Sequence, residues 1–275
     1  MASNKLRIAI LGASGYTGAE LVRLLSRHPH VQIVALTADR QAGKPASEVF
    51  PQLVLADLPN LTKIDEVDWT GVDFVFCCLP HGLTQEVVAK LPAHLRIVDL
   101  SADFRLTDLD AYATWYGHAH LAPELQKDAV YGLTELNRDA VRKARLVANP
   151  GCYPTAAQLP LIPLIEAGLI VADDIIIDAK SGASGAGRDA KLGSLFAEVA
   201  DGIHAYGVAS HRHAPEIEQG LSEAAGKPII VNFTPHLMPM SRGILATIYV
   251  KLAPGATVDK LRAALHHHNH RYHVL

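Results

Sequence analysis

A cysteine between two prolines is the residue of this chain best suited to nucleophilic chemistry. It is Cys152, in the run NPGCYPT at residues 149–155. A thiolate is favoured at a helix N-terminus, where unpaired N–H groups and the helix dipole stabilise negative charge. Apolar residues follow at helical spacing and predict such a helix start near Cys152. The alternative is a structural cysteine, because free cysteines are usually core residues.

Two histidines are candidate acid–base partners for that thiol. His213 and His211 stand in the run HRHAPEI, where a proline indicates the first turn of another helix. Thiol catalysis needs such an imidazole if folding brings it to the cysteine. We predict no metal site, because this pair has no third ligand at suitable spacing and Arg212 adds repulsion. The histidine-rich tail, residues 266–273, is interpreted as the fraying end of a helix.

The first residues show the strand, glycine turn and helix of a dinucleotide-binding site. An apolar run at residues 6–11 leads into GASGYTG and then into a helical pattern. Three glycines spaced three apart let the backbone turn tightly, approach a pyrophosphate and pack the helix on the strand. A glycine triplet alone could be only a tight turn, but its place after a strand favours binding. The predicted cofactor contacts here are Gly12, Ser14, Gly15, Tyr16, Thr17 and Gly18.

Residues after the second predicted strand, 31–36, decide which nicotinamide dinucleotide fits. Thr37, Arg40 and Lys44 suit a 2′-phosphate. Asp39 argues the other way, since a carboxylate could hold a free 2′-hydroxyl. We favour NADP(H) over NAD, with Thr37 and Arg40 as contacts, although the basic residues could also be solvated.

Apolar runs continue to alternate with helical segments as far as residue 150, which predicts a parallel sheet. Ligands bind beyond the carboxyl ends of the strands in such sheets. Pro80 and Ser101 lie just after two of these strands and are predicted cofactor contacts. Arg105, beside the same crevice, is a candidate for an anionic group of the substrate, or else a solvated charge.

Beyond Cys152 the pattern changes, and not every strand is separated from the next by a helix. Antiparallel pairing is therefore expected. The predicted strands lie at residues 175–180, 203–210, 229–234 and 244–252. The fold class is α/β: a Rossmann-type doubly wound parallel sheet at residues 1–150, then an α+β domain with a mixed, largely antiparallel sheet at residues 151–275.

A loop of small residues, SGASGAGR at 181–188, follows the first of these later strands. Such a loop can bring backbone N–H groups against a ligand, so Ser184 and Gly185 are predicted cofactor contacts. Ser181 and Arg188 are predicted substrate contacts, because the arginine could pair with a carboxylate or phosphate. The alternative is a flexible linker.

Composition excludes several classes of protein. The 275 residues carry a formal charge of −3, which is no basic footprint for nucleic acid, and no apolar run approaches a membrane span. The N-terminus leads into a strand pattern without a signal peptide. Three cysteines form no disulfide framework, which indicates a reducing compartment. We expect a cytoplasmic protein.

Four motifs in order resemble the N-acetyl-gamma-glutamyl-phosphate reductase family, and the resemblance covers nearly the whole chain. They are GASGYTGAEL from Gly12, NPGCYPT from Asn149, KSGASGAGR from Lys180 and HRHAPEI from His211. The resemblance implies an NADPH-dependent enzyme of arginine biosynthesis. Its nucleophile would be Cys152, which would form a thioester that accepts hydride. Its acid–base residue would be His213, with His211 as second choice.

The resemblance also implies a small-molecule acyl phosphate as substrate and a homo-oligomer, dimer or tetramer. Relatives ordinarily continue past Leu275 with a segment that returns to the first domain, and we expect that segment to be absent here. Two rival interpretations stay open. One is a sister reductase of aspartyl phosphate or carrier-bound aminoadipyl phosphate, and the other is a truncated, non-catalytic nucleotide-binding protein.

Overall fold

The structure is a computed structural model that describes residues 5–272, with side chains described as far as residue 267. The chain divides into two compact units. Unit 1 comprises the chain up to residue 113 with 118–132 and 137–149, and unit 2 comprises 114–117, 133–136 and the chain from residue 150 onward. The domain boundary predicted at residue 150 lies beside this division and stays a prediction.

A parallel sheet organises unit 1, as the alternating pattern predicted. Within the described chain it has seven strands in the order β3-β2-β1-β4-β5-β7-β6, and every neighbouring pair is parallel. The elements up to residue 148 are β1 Leu6–Leu11, α1 Tyr16–Leu25, β2 Val31–Thr37, α2 Ala46–Val49, β3 Leu61–Thr62, β4 Phe74–Cys77, α3 Thr84–Lys90, β5 Arg96–Asp99, α4 Leu109–Tyr116, α5 Pro123–Asp128, β6 Ala129–Tyr131, α6 Thr134–Lys143 and β7 Leu146–Ala148. The end of α4 and the start of α6 belong to unit 2.

Both faces of this sheet are covered, which explains why its central strands read as unbroken apolar runs. Alternate residues of β1 enter different cores, because successive side chains of a strand point to opposite faces. Ile8 and Ile10 pack in one cluster with residues of α1 and β2. Ala9 and Leu11 pack in the other with residues of β4 and β5. Ligands of such a sheet bind beyond the carboxyl ends of its strands.

A smaller mixed sheet organises unit 2. Its described strands run in the order β11-β8-β10-β9, with β8 and β10 parallel and the other two pairs antiparallel. The predicted mixed, largely antiparallel sheet is therefore confirmed. The elements are α7 Cys152–Glu166, β8 Ile170–Gly182, α8 Phe196–Val199, β9 His204–Ala205, α9 His213–Ala225, β10 Val231–Met238, β11 Ile244–Leu252 and α10 Val258–Tyr272.

Helix α7 carries the cysteine and packs on one face of this sheet. Ala157 and Leu161 of α7 are buried against Ile177 of β8 and against Ile217 and Leu221 of α9. The helix begins at Cys152, where the apolar spacing predicted a helix start. Its proline in the first turn is tolerated there, because the N–H that proline lacks would have no intrahelical acceptor.

The strand predicted at residues 203–210 is wrong beyond its first residues. Only His204–Ala205 pairs, as β9, and the chain then turns. Gly207 and Ala209 have φ of 56° and 54°, in the left-handed region that ends an extended strand. The turn has a consequence for the site, because it brings the ring of Tyr206 to a centroid distance of 5.5 Å from that of His211.

Two features bear on membranes and metals. No helix in the part of the chain that the structure describes combines the length and apolar character needed to cross a bilayer. Among those same residues no group of three histidine, cysteine, aspartate or glutamate side chains could hold a metal ion. His266 lies in α10, whereas His273 is outside the described residues.

Candidate active site

In the glycine turn of unit 1, residues 12–18, two of the three glycines have no room for a side chain. Gly12 has φ of 75°, and a Cβ there would lie 2.4 Å from the carbonyl oxygen of Cys78. At Gly18 a Cβ would lie 2.6 Å from Cα of Ala13. Gly15 is different, because the nearest atom to its Cβ would be 3.5 Å away, an ordinary contact. Its lack of a side chain keeps the space before α1 open, which fits an approaching pyrophosphate.

The residues around this turn divide into supporting and exposed ones. Thr37 is 1% exposed, and its hydroxyl accepts the Gly12 N–H at 3.3 Å. It therefore braces the turn, and its contact with a 2′-phosphate stays a prediction. Tyr16, Thr17 and Arg40 are exposed on the same unit, while Ser14 is half-buried.

The predicted contacts after β4 and β5 differ in accessibility. Pro80 is exposed, whereas Ser101 is buried. The Ser101 hydroxyl donates to a carboxylate oxygen of Asp99 at 2.8 Å and accepts the Asp103 N–H at 3.1 Å. Burial raises the pKa of Asp99 to about 7, although hydrogen bonds from Ser101 act in the opposite direction. Ser101 thus holds a buried carboxyl group, and its cofactor contact stays a prediction.

Arg105 is bound to the backbone of its own unit. It is 8% exposed, its Nε donates to the carbonyl oxygen of Asn149 at 2.8 Å, and its Nη2 donates to that of Leu100 at 3.0 Å. The guanidinium therefore ties the turn after β5 to the end of β7, three residues before the cysteine. Its predicted contact with a substrate anion stays a prediction beside this observed structural one.

Cys152 is the first residue of α7 and is exposed. The predicted helix start is confirmed. The N-cap, Gly151, is extended and makes no side-chain cap bond, and its own N–H donates to Glu216 at 2.8 Å. The N–H groups of a first helical turn have no intrahelical acceptors, so they can face a negative charge. A thiolate at this position would be stabilised by those N–H groups and by the helix dipole.

Ring contacts bring both histidines to the start of the cysteine's helix. The rings concerned, which we call the ring cluster, are those of Tyr153, Tyr206, His211, His213 and Phe233. The ring of Tyr153, the residue after the cysteine, has centroid distances of 5.5 Å to His211 and 5.8 Å to His213. The two imidazole rings are 4.8 Å apart. The starts of α7 and α9, which lie in two separate sequence motifs, are therefore close together in unit 2.

Burial controls ionisation within the ring cluster. It lowers the pKa of His211 to about 4, with the charge of Arg212 acting in the same direction. It raises the pKa of Tyr153, against the effect of hydrogen bonds from Tyr206 and Ser181. The two tyrosine hydroxyls lie 2.9 Å apart. Near neutral pH these phenols and His211 are uncharged.

The small-residue loop after β8 is anchored in its first half. The N–H groups of Gly182 and Ser184 donate to Gly243 and Ser241 at 3.0 and 3.1 Å. The flexible-linker alternative therefore does not describe this half. Ser181 is buried near Tyr153 of the ring cluster, whose pKa it acts to lower, and its hydroxyl donates to the carbonyl oxygen of Gly182 at 3.1 Å. Further along the loop the predicted contacts Gly185 and Arg188 are exposed.

Glu216 is a site residue that the sequence reasoning missed. It is 1% exposed, and besides holding Gly151 it accepts the Gln158 side-chain N–H on its backbone oxygen at 2.8 Å. Gln158 in turn lies over Gly220, where a Cβ would be 2.5 Å from its amide nitrogen. The available signal was the position of Glu216, three residues after His213. Tyr206 was also missed, and the glycine that follows it was the sign of a turn.

Comparisons with known proteins agree with this division of the chain. Residues 7–144 match the family described as semialdehyde dehydrogenase, NAD binding domain, and residues 152–274 match semialdehyde dehydrogenase, dimerisation domain. The crystal structure of aspartate semialdehyde dehydrogenase II from Vibrio cholerae has the same fold, with a TM-score of 0.70 at 17% identity, over 96% of this chain and 79% of that one. Fold and site therefore define an oxidoreductase of the semialdehyde dehydrogenase class.

Curated relatives narrow the class. The N-acetyl-gamma-glutamyl-phosphate reductase of Rhodospirillum rubrum is 66% identical over 96% of this chain and 76% of its own length. A probable chloroplastic N-acetyl-gamma-glutamyl-phosphate reductase of Oryza sativa is 62% identical over 94% of this chain and 62% of its own length. The chain belongs to the N-acetyl-gamma-glutamyl-phosphate reductase family.

These findings confirm several predictions made from the sequence. The family resemblance, the fold class and the oxidoreductase class are confirmed. The nicotinamide dinucleotide cofactor is confirmed at the level of the NAD binding domain. The chain spans 76% of the bacterial relative and under two thirds of the plant relative. The individual site residues stay predictions.

Proposed function

We propose that this chain reduces N-acetyl-γ-glutamyl phosphate to the corresponding semialdehyde with NADPH, releasing phosphate, as a step of arginine biosynthesis. The observation that carries the proposal is Cys152, exposed at the start of α7 beside the ring cluster. The name of the relative at 66% identity supports the choice of acyl phosphate. The reducing cytoplasm suits a chain whose three cysteines form no disulfide.

In the first half of the reaction the Cys152 sulfur attacks the carbonyl carbon of the acyl phosphate. The bond between that carbon and the phosphate oxygen breaks, phosphate leaves and takes a proton from water, and a thioester remains on the cysteine. His213 takes the thiol proton. The N–H groups at the start of α7 stabilise the oxyanion, an effect worth about 3 kcal/mol per donor in other acyl-transfer sites.

In the second half the thioester is reduced and the cysteine is released. A bound nicotinamide dinucleotide would supply the hydride, and the glycine turn with Gly15 at its open position would hold the pyrophosphate. The bond between carbon and sulfur then breaks, the aldehyde leaves, and His213 returns the proton to the thiolate. Exposed Arg40 supports NADPH, because its guanidinium can pair with a 2′-phosphate.

Recognition of the rest of the substrate is assigned to the loop after β8. Arg188 is exposed and can pair with a carboxylate or phosphate. Ser181 lies beside the ring cluster and can add a hydroxyl group to that side of the site. Arg105 is retained as a candidate for the phosphate, with its bonds to the backbone as competing interactions.

A homo-oligomer, dimer or tetramer, is part of the proposal. Its support is the match of residues 152–274 to a dimerisation domain. The sheet of unit 2 also has a face turned away from its helices, where Ile176, Leu245 and Tyr249 are 45%, 64% and 55% exposed. An apolar surface of this kind suits a second copy of the chain. Light scattering on the purified protein would give the state directly.

The test is turnover on a panel of acyl phosphates. We expect NADPH oxidation with N-acetyl-γ-glutamyl phosphate at a rate at least about 100-fold above that with aspartyl or aminoadipyl phosphate. Preference for either of the others would assign the chain to a sister reaction. NADPH binding without turnover on any of them would indicate the non-catalytic alternative.

A second measurement isolates the acyl transfer. Without dinucleotide, the wild-type chain should release one phosphate per chain and gain the mass of the acyl group on the peptide that contains Cys152. The control, Cys152→Ser, should show neither. Acylation at another residue would refute the assigned nucleophile.

A further inference from the structure

Two histidines stand at the start of α9, and the structure gives them different tasks. We propose that His211 is a positioning residue, neutral throughout the reaction, that fixes the first residue of α9 and leaves proton transfer to His213. The inference rests on the proposed function for its catalytic part. Its structural part concerns one hydrogen bond and one protonation state, and these are testable without turnover.

The direction of that hydrogen bond defines the tautomer. The backbone N–H of His213 donates to Nδ1 of His211 at 3.1 Å. A backbone N–H can only donate, so Nδ1 must carry a lone pair and the ring proton must sit on Nε2. A protonated imidazole carries N–H at both positions and would place two donors against each other. The observed geometry therefore requires neutral His211.

The surroundings of His211 favour the same state. Edge-to-face contacts reach it from Tyr153 of α7, from Tyr206 in the turn after β9 and from Phe233 of β10, at centroid distances of 5.4 to 5.5 Å. The titratable and charged groups that face it are these two phenols, His213 and Arg212. An enclosure of rings beside a guanidinium offers poor solvation to a second positive charge.

The bond replaces a missing cap on α9. Its N-cap residue, Arg212, is in the right-handed helical region and makes no side-chain cap bond. The N–H of the first helical residue, His213, has no intrahelical acceptor, and His211 supplies one as a capping side chain does. The backbone of His213 is thereby fixed, and so is the direction in which its side chain extends from α9.

Three substitutions separate positioning from proton transfer. His213→Asn removes the base and should lower kcat by about 100-fold or more. His211→Asn keeps an acceptor, its Oδ1, at the place of Nδ1, and should lower kcat by less than about tenfold. His211→Leu fills the space without an acceptor, and its loss of kcat should lie between those of His211→Asn and His213→Asn. Equal losses in His211→Asn and His213→Asn would overturn the proposal.

A pH dependence of stability tests the neutral state without any substrate. His211 binds its proton only near pH 4 when folded, because its pKa is lowered there, but near pH 6.5 when unfolded. Between these values the unfolded state binds more protons, so the melting temperature should fall as the pH is lowered from 6.5 towards 4. In His211→Asn that fall should be smaller.

The chain offers a matched control in unit 1. The N–H of His30 donates to Nδ1 of His28 at 3.3 Å, with the same two-residue spacing, but both residues are exposed. His28→Asn should change neither the acid-side fall of the melting temperature nor kcat. If His211→Asn behaved like this control in the melting experiment, the neutral His211 would be refuted. Failure of the proposed function would appear separately, as absence of turnover in the wild-type chain.

Discussion

Helices α1 and α7 begin in the same way, but the roles proposed for their first residues differ. Each starts just after a strand, each has a glycine N-cap in an extended conformation, Gly15 and Gly151, and neither cap makes a side-chain bond. In both, the first N–H groups of the helix have no intrahelical acceptor. The residue that follows the cap differs. In α7 it is Cys152, the proposed nucleophile, which lies in the partial positive charge of its helix start, whereas the start of α1 is proposed to receive a ligand.

The two helix starts are also braced differently. Backbone atoms brace the first, since Gly12 lies against the carbonyl of Cys78 and its N–H is held by Thr37. Side chains brace the second, since Glu216 holds the cap and Tyr153 joins it to the histidines. We therefore expect added atoms to damage the first and lost functional groups to damage the second.

The largest effect should come from Cys152→Ser. A hydroxyl group is a far weaker nucleophile than a thiolate, so turnover should fall on the order of 10⁴-fold. NADPH affinity, measured by fluorescence titration, should be unchanged, because the glycine turn is untouched. Loss of both together would show that the two helix starts do not have separate uses.

Gly12→Ala and Gly15→Ala sharpen the contrast within unit 1. The first adds a methyl group 2.4 Å from a backbone oxygen at positive φ, and should lower the free energy of unfolding by about 3 kcal/mol. The second meets only an ordinary contact, so it should fold normally and lose about tenfold in NADPH affinity. Urea unfolding and titration measure the two effects. Equal destabilisation by both would contradict the assigned roles.

Alkylation compares the three thiols directly. Burial, with the charge of Asp99, raises the pKa of Cys78 to about 12, and burial also raises the pKa of Cys77 well above its ordinary value. Cys152 is exposed at a helix start, and near pH 8 iodoacetamide should modify it at least about 100-fold faster than either. Mass spectrometry of peptides after brief exposure gives the rates. Comparable labelling of Cys78 would argue against an activated Cys152.

The smallest effect concerns cofactor choice. Arg40→Ala should raise KM for NADPH by about tenfold and leave KM for NADH nearly unchanged, because only the 2′-phosphate loses a partner. Asp39→Ala is the matched control, and should leave the preference for NADPH intact or increase it. Steady-state kinetics with both dinucleotides decide the matter, and an equal rise for both would remove Arg40 from the 2′-phosphate site.

Local patterns made much of the fold predictable. The apolar run, the glycines and the helical spacing of the first residues gave the first strand, turn and helix, because each of these depends on neighbours in sequence. The proline-flanked motif placed Cys152 at a helix start for the same reason. The mixed sheet of unit 2 followed from strands that no helix separates.

Features that depend on distant contacts were not predictable. The burial of Thr37 and the backbone bonds of Arg105 arise from packing between strands that no local spacing records. The extended pattern at residues 203–210 gave no sign of the positive φ at Ala209. The ring cluster joins residues more than fifty positions apart, so the sequence could name its two histidines but not what encloses them.

The absent side chain of Gly220 has a consequence at a distance. Any larger residue there would displace the Gln158 amide from the backbone oxygen of Glu216, whose carboxylate accepts the N–H of Gly151, the residue before Cys152. Residue 220 lies seven positions, roughly 10 Å of helix, from His213. The spacing between two helices is thus linked, through one glutamine side chain, to the residue that precedes Cys152.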